Sequence, residues 1–298
     1  MKRLLLIINN TAGQGGAQKD MYDIVKVLAL GGYITSVCPV IPGEGLVSEQ
    51  IIANEGENYD VIACYGGDGT LHHVINGYIK SGLDVPLGYF PAGSTNDFAR
   101  SMGLDVPHVD IAKAIVKGNT FKYDAGWFGD SYFNYVAAFG AFTKVSYDTD
   151  QNFKNMIGHA AYIVNGITQL PDALTASYHA RITHDGMVTE GYYLFGGFSN
   201  ATSVGGFKMP SEERIKLNDG LFEVTLIKAP KNVIDLNMTV GALMLGDLES
   251  DYLEVFQTNE MTIEFTSPCA FTLDGEYGGE HRKVSLGVKE GAVNMLVP

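Results

Sequence analysis

Five consecutive residues, Gly66-Gly67-Asp68-Gly69-Thr70, combine glycines with one carboxylate and one hydroxyl. Glycine lets a backbone turn sharply and approach a ligand without a Cβ in the way. Downstream, Leu71, Val74, Ile75, Tyr78 and Ile79 fall at i, i+3, i+4, i+7 and i+8, so the cluster opens an amphipathic helix. A helix start offers unpaired N–H groups and a positive dipole end, which suit a phosphate. Asp68 would repel that phosphate unless a divalent cation lay between them. The combination points to a nucleoside triphosphate with Mg2+. The competing account is an Asp N-cap on a tight turn.

A second segment, PAGSTND (91–97), repeats this logic: a strand end, hydroxyls, a carboxylate, then a helix carrying Arg100. Alone it is ordinary capping chemistry; two such loops at neighbouring strand ends argue for a shared ligand. Other phosphate signatures are missing. Residues 13–19 do not match GxxxxGK[ST], and Gln18 stands where the dinucleotide fingerprint needs its third glycine. Asp97-Phe98-Ala99 only imitates the protein-kinase DFG. His72 and His73 point about 100° apart on a helix and make no metal pair.

These loops need a scaffold, and the first third of the chain supplies one. Strand-like runs at 4–9, 33–40, 61–65 and 85–90 alternate with helical runs at 18–30, 46–54 and 71–79. Apolar strands separated by helices imply a parallel sheet with helices on both faces, ligands gathering beyond the carboxyl ends of its strands. Near Phe121 the pattern changes. Strands are expected at 121–128, 132–138, 176–183, 191–198, 221–227, 261–265 and 270–274, with helices at 155–168 and 233–245. That half reads as a mainly antiparallel β domain. The expected division is a nucleotide-binding α/β domain over 1–122, to which 288–298 returns, and a β-rich substrate domain over 123–287.

The chain has 298 residues, 46% of them hydrophobic, enough for a substantial core in two domains. Its 20 basic and 34 acidic side chains give a net charge of −14, which argues against a nucleic-acid binder. An anion held locally by backbone amides and metal ions remains compatible with that charge. The run from Leu4 to Ile8 is shorter than a secretory core, so a cytoplasmic location is expected. Cys38, Cys64 and Cys269 show no CxxC spacing and read as buried thiols.

The ordered set GGDGT (66–70) and PAGSTNDFARSMG (91–103) resembles the diacylglycerol kinase catalytic family, specifically its bacterial soluble lipid kinases. IINNTAG (7–13) is similar to the family's first turn. KYDAG (122–126) with YFN (132–134) and Gly140, KNMIGHAAY (154–162), KLNDGLFEV (216–224) and LDGE (273–276) resemble its later motifs, so the likeness spans most of the chain. GGDGT alone is shared with NAD kinases; the ordered set is what is specific.

The resemblance implies an ATP-dependent kinase that phosphorylates a lipid hydroxyl, with diacylglycerol the first-choice acceptor and phosphatidic acid the product. It places Asn9, Asn10, Gly66, Gly67, Asp68, Gly69, Thr70, Ser94, Thr95, Asn96 and Arg100 around the nucleotide. Asp68, Asp97 and Asp124 would form an acidic network around a catalytic Mg2+, mostly through water. Glu276 would be the general base, with Asp274 beside it in that network; Asp68 completes the catalytic set. A hairpin turn flanked by solvent-exposed acids is the competing account of DGE. A structural Mg2+ would take the Asp219 carboxylate and the carbonyls of Lys216 and Leu221, against an ordinary Asp-Gly turn. The active site is expected in the cleft between the domains.

Departures from the family pattern are Asn10 in place of proline, no lysine within TAGQGG, and Pro39 to Glu44 where a threonine is usual. An NAD kinase-type phosphotransferase and an inactive nucleotide-binding regulatory protein are the alternatives. PAGSTNDFAR and DGE favour the lipid branch. Transient membrane-surface contact is the further expectation, and oligomeric state, homodimer included, is left open.

Overall fold

The computed structural model describes residues 1–9, 17–93, 96–140, 177–200, 203–204, 207–208, 216–245, 247 and 249–298. Two compact units divide the chain, Met1–Ala125 with Glu290–Pro298, and Gly126–Lys289. The expected helix at 155–168 lies outside the described residues.

In the first unit β1 (Lys2–Ile8), α1 (Ala17–Leu30), β2 (Tyr33–Pro39), α2 (Ser48–Glu55), β3 (Val61–Gly66), α3 (Asp68–Lys80) and β4 (Leu87–Pro91) alternate. Then come α4 (Asp97–Ser101), α5 (His108–Lys117) and β5 (Thr120–Phe128). β1 pairs in parallel with β2 and β3, and β3 with β4. The long strand β15 (Glu276–Leu296) adds Met295 in parallel beside Leu87. A purely parallel sheet is nonetheless not what forms: an antiparallel bridge joins Ile41 to Leu46, and β5 leaves the unit into an antiparallel pairing.

Every residue of β3 is buried, which is what a strand covered on both faces requires. On one face Leu4, Leu6, Ala63, Tyr65 and Phe90 pack against Ile24 and Leu28 of α1 and Ile111 and Ile115 of α5. Burying each such aliphatic side chain contributes about 2 kcal/mol. α2 and α3 lie so close that a Cβ on Gly77 would come within 2.9 Å of the Glu49 Cα. His73 Nδ1, 2.6 Å from Glu49 Oε1, fastens the same pair, and buried His72 contacts Asn76. Both histidines are thus occupied in packing α3.

The second unit is sheet-rich. β6 (Ser131–Phe133), β7 (Val136–Gly140), β8 (Tyr178–His184) and β9 (Met187–Ser199) precede a two-stranded ribbon, β10 (Ser203–Val204) with β11 (Phe207–Lys208). β12 (Phe222–Lys228), α6 (Val233–Leu245), β13 (Leu253–Thr258) and β14 (Glu260–Leu273) follow. All pairings described within this unit are antiparallel: β9 with β7, β8 and β12, β12 with β13, and β14 with β7, β8 and β15. Its core is aromatic. Phe271 lies 4.9 Å from Phe128 and 5.5 Å from Phe139, centroid to centroid. The cavity among Phe139, Phe198 and Phe271 is about 10 Å³, room for one water-sized sphere, so these rings are core and not an acyl-chain pocket.

Two strand boundaries differ from the sequence expectation. One strand was expected over 132–138, but Asn134 and Tyr135 interrupt it, because their N–H groups and that of Val136 turn to the Asp274 carboxylate. Conversely 261–265 and 270–274 join into β14, whose register shifts between Glu264 and Cys269, around Pro268, which has no N–H for the ladder. β13 and α5 were not anticipated.

The three cysteines are free thiols. Burial pushes Cys64 far above its ordinary range and Cys269 up to about 12, whereas Cys38 is half-buried. An aromatic disulfide reagent should therefore modify Cys38 alone in the native protein and all three thiols after denaturation. Fast native modification of a second thiol would contradict the packing described. Among the described residues no helix is long and apolar enough to cross a membrane.

Candidate active site

The first glycine cluster begins on the last residue of β3. A Cβ on Gly66 would lie 2.6 Å from the Thr70 side chain, so only glycine lets the first turn of α3 fold back over the strand end. Gly67 takes the N-cap position and Asp68 the first helical one, so the Asp N-cap account is displaced by one residue. Asn9, just past β1, donates from Nδ2 to the buried Thr70 Oγ1 at 2.9 Å, and its N–H reaches the Tyr65 carbonyl.

The second cluster meets the first directly. A Cβ on Gly93 would lie 2.9 Å from the Gly67 Cα, and one on Gly67 3.2 Å from the Gly93 Cα. Two bare glycine backbones are thus in contact beyond the carboxyl ends of β3 and β4, and Ala92 N–H bonds to the Gly66 carbonyl. Asn96, in the left-handed region at φ 51°, braces the turn: Oδ1 accepts the Gly93 N–H and Nδ2 donates to its carbonyl, both at 2.9 Å. Its amide therefore serves the loop itself. Asn10, Ser94 and Thr95 lie outside the described residues.

Two of the three acids are carried by elements that share an aromatic cluster. Tyr89 of β4 lies 6.5 Å from Phe98 of α4, and Phe98 lies 5.0 Å from Tyr123 of β5. Asp97 precedes Phe98, Asp124 follows Tyr123, and both are almost fully buried. Burial, and then the charge of Asp68, push the Tyr89 phenol well above its ordinary range. Asp124 Oδ1 accepts the Gly291 N–H at 2.7 Å. Arg100 is exposed, 3.8 Å from Asp97 and 3.9 Å from Asp105. Among the described residues no three His, Cys, Asp or Glu side chains converge closely enough to hold an ion directly.

Asp274 and Glu276 belong to the second unit. Asp274-Gly275 is the two-residue turn between β14 and β15, with φ of 53° and 89°, the positive pair of a type I′ hairpin. The buried Asp274 carboxylate accepts N–H bonds from Asn134 at 2.6 Å, Tyr135 at 2.9 Å and Val136 at 3.1 Å. It works as a clamp on the backbone. Glu276 stands exposed on the far side of the turn. Asp219 Oδ1 accepts the Leu221 N–H at 3.1 Å, the Asx turn of an Asp-Gly strand entry, and Lys216 is exposed.

His108 has no part in the sequence expectation. Its partners, Asp20 and Pro91, are 88 and 17 residues away, and a lone His opening a helix gives no local signal of either.

The architecture has known counterparts. The model of the diacylglycerol kinase catalytic domain matches residues 3–128. A diacylglycerol kinase of Bacillus subtilis strain 168 is 29% identical over 283 residues, covering 94% of this chain and 91% of the relative. One of Staphylococcus aureus strain bovine RF122 / ET3-1 is 30% identical over 282 residues, with 94% and 87% covered. The crystal structure of a diacylglycerol kinase from Bacillus anthracis str. Sterne shares the fold at a TM-score of 0.76 and 20% identity, covering 100% of this chain and 97% of its own. Another chain from that organism reaches a TM-score of 0.82 at 23% identity, covering 100% and 95%. The plan is that of a two-unit kinase. The chain belongs to the diacylglycerol kinase family.

Proposed function

We propose that the protein is an ATP-dependent lipid kinase that transfers the γ-phosphate to the hydroxyl of diacylglycerol, yielding phosphatidic acid. The observation that carries this reading is the apposition of Gly67 and Gly93, with Asp68 in the first turn of α3. Two glycine backbones in contact leave room for phosphate oxygens, and the first-turn amides face them. In this reading Asn9, Gly66 to Thr70 and the 94–96 segment hold the phosphates, Asn9 and Asn96 by fixing the loops, with Asn10 and Arg100 at the edge.

The donor set suits Mg2+. Asp68, Asp97 and Asp124 offer hard carboxylate oxygens, the last two on elements that share one aromatic cluster, while among the described residues no three side chains converge as direct ligands. That fits a cation that keeps its waters. When bound, it neutralises charge on the phosphates. Glu276 takes the proton of the lipid hydroxyl as its oxygen bonds to the γ-phosphorus and the bond to the β–γ bridging oxygen breaks, releasing ADP. Asp274 sets the turn that presents Glu276, and a structural Mg2+ at Asp219, with the Lys216 and Leu221 carbonyls, remains part of the proposal. Contact with the membrane is transient and peripheral.

The test is turnover of ATP against a panel of hydroxyl lipids in mixed micelles, with Mg2+ and with NAD as control. Phosphatidic acid from diacylglycerol is the expected product. Phosphorylation of NAD, or of none of the lipids, overturns the reading.

A further inference from the structure

His108, the first residue of α5, bridges two elements of the candidate nucleotide site. Its Nδ1 lies 3.0 Å from Asp20 Oδ2 of α1, and its Nε2 lies 2.9 Å from the carbonyl oxygen of Pro91 at the end of β4. The ring is wedged edge-on against Tyr65 at 5.1 Å and Phe90 at 6.0 Å, with its side chain 15% exposed. A backbone carbonyl only accepts, so Nε2 must carry a hydrogen. A carboxylate also only accepts, so Nδ1 needs one too. A neutral imidazole has a single N–H and cannot satisfy both.

We propose that His108 is a positioning residue: as an imidazolium it ties the start of the 91–97 loop to α1, so the register of the two glycine loops depends on one proton. The inference rests on the nucleotide reading given above. Pro91 is two residues from Gly93, which touches Gly67, and α1 follows directly on the 11–16 segment. The titratable groups facing the ring are Asp20 from α1 and the Tyr65 phenol from β3. Burial and the Asp20 charge raise that phenol, so it stays neutral. β4 contributes the Phe90 ring and the Pro91 carbonyl, neither charged. On α5 itself, Asp110 is occupied by Lys113 at 2.8 Å. When the proton leaves, an Nδ1 lone pair confronts the Asp20 carboxylate and the tether turns repulsive. The tether therefore needs an imidazolium facing an ionised Asp20 and is lost when the ring proton leaves.

Two measurements on the full chain test this. In 15N-labelled protein, the ring signal missing from H108Q should show one nitrogen bare at about pH 9 and both protonated at about pH 6. A neutral single tautomer at the lower pH would overturn the assignment. Kinetically, the KM for ATP should rise about 10-fold between about pH 6 and pH 9, the loss of one charge-assisted hydrogen bond, with kcat nearly constant. H108Q should hold a flat, raised KM. D20N, whose amide can donate to a bare Nδ1, should also be flat and serves if H108Q fails to fold. A wild-type pH dependence retained in these variants sinks the proposal. If ATP is not turned over at all, the nucleotide reading fails instead, and the ring spectrum still decides the protonation state.

Discussion

Glu276→Gln should cost about 10²- to 10⁴-fold in kcat, the range of a lost general base, with the fold unchanged. Glutamine keeps the shape and removes only the ability to take a proton. Glu276 is exposed, and the turn before it is fixed by Asp274 and Gly275, so circular dichroism and the melting temperature should stay at wild-type values. Asp68→Ala should be as severe by another route. Alanine suits the first turn of α3, so the helix survives while the carboxylate proposed to meet the phosphates through a cation is lost. Steady-state turnover in the lipid assay reads both variants. Full activity in either one removes that residue from its assigned role.

Asp274→Ala should instead act on stability, by about 3 kcal/mol, seen as a lowered denaturant midpoint. Three backbone N–H groups, at Asn134, Tyr135 and Val136, would lose their acceptor in a buried setting. Position 274 also sits at φ 53°, where Asp and Asn are tolerated and alanine costs about 1 kcal/mol. Asp274→Asn keeps an acceptor oxygen and the left-handed tolerance, so it should lose markedly less. An alanine variant as stable as wild type would mean the clamp contributes nothing beyond a solvated carboxylate. Activity should fall alongside stability, because the same turn carries Glu276.

The contrast between these residues marks what the sequence makes legible. The β3–GGDGT–α3 unit can be read directly because its causes are local: a buried strand, glycines needing freedom, and an apolar helical stripe. The direct contact of Gly67 with Gly93 joins loops from different strands and only the fold reveals it. DGE was readable as a turn, but not as a clamp, since Asp274 acts on a backbone 138 to 140 residues earlier. That distant bond also explains the misjudged strand at 132–138: apolar alternation continues through Asn134 and Tyr135, while their hydrogen bonds go elsewhere. β13 and the strand pairings of the second unit depend on nonlocal partners in the same way, as does His108.

The placement of the Glu290–Pro298 segment has a consequence for biosynthesis. It supplies Met295 beside Leu87 and the Gly291 amide to Asp124, yet it is translated after the whole of residues 126–289. During vectorial synthesis the amino-terminal unit therefore waits, one parallel neighbour short, until the ribosome has finished the second. Nascent chains stalled between residues 126 and 289 should lack the amide that Asp124 accepts, a state for chaperones to shield.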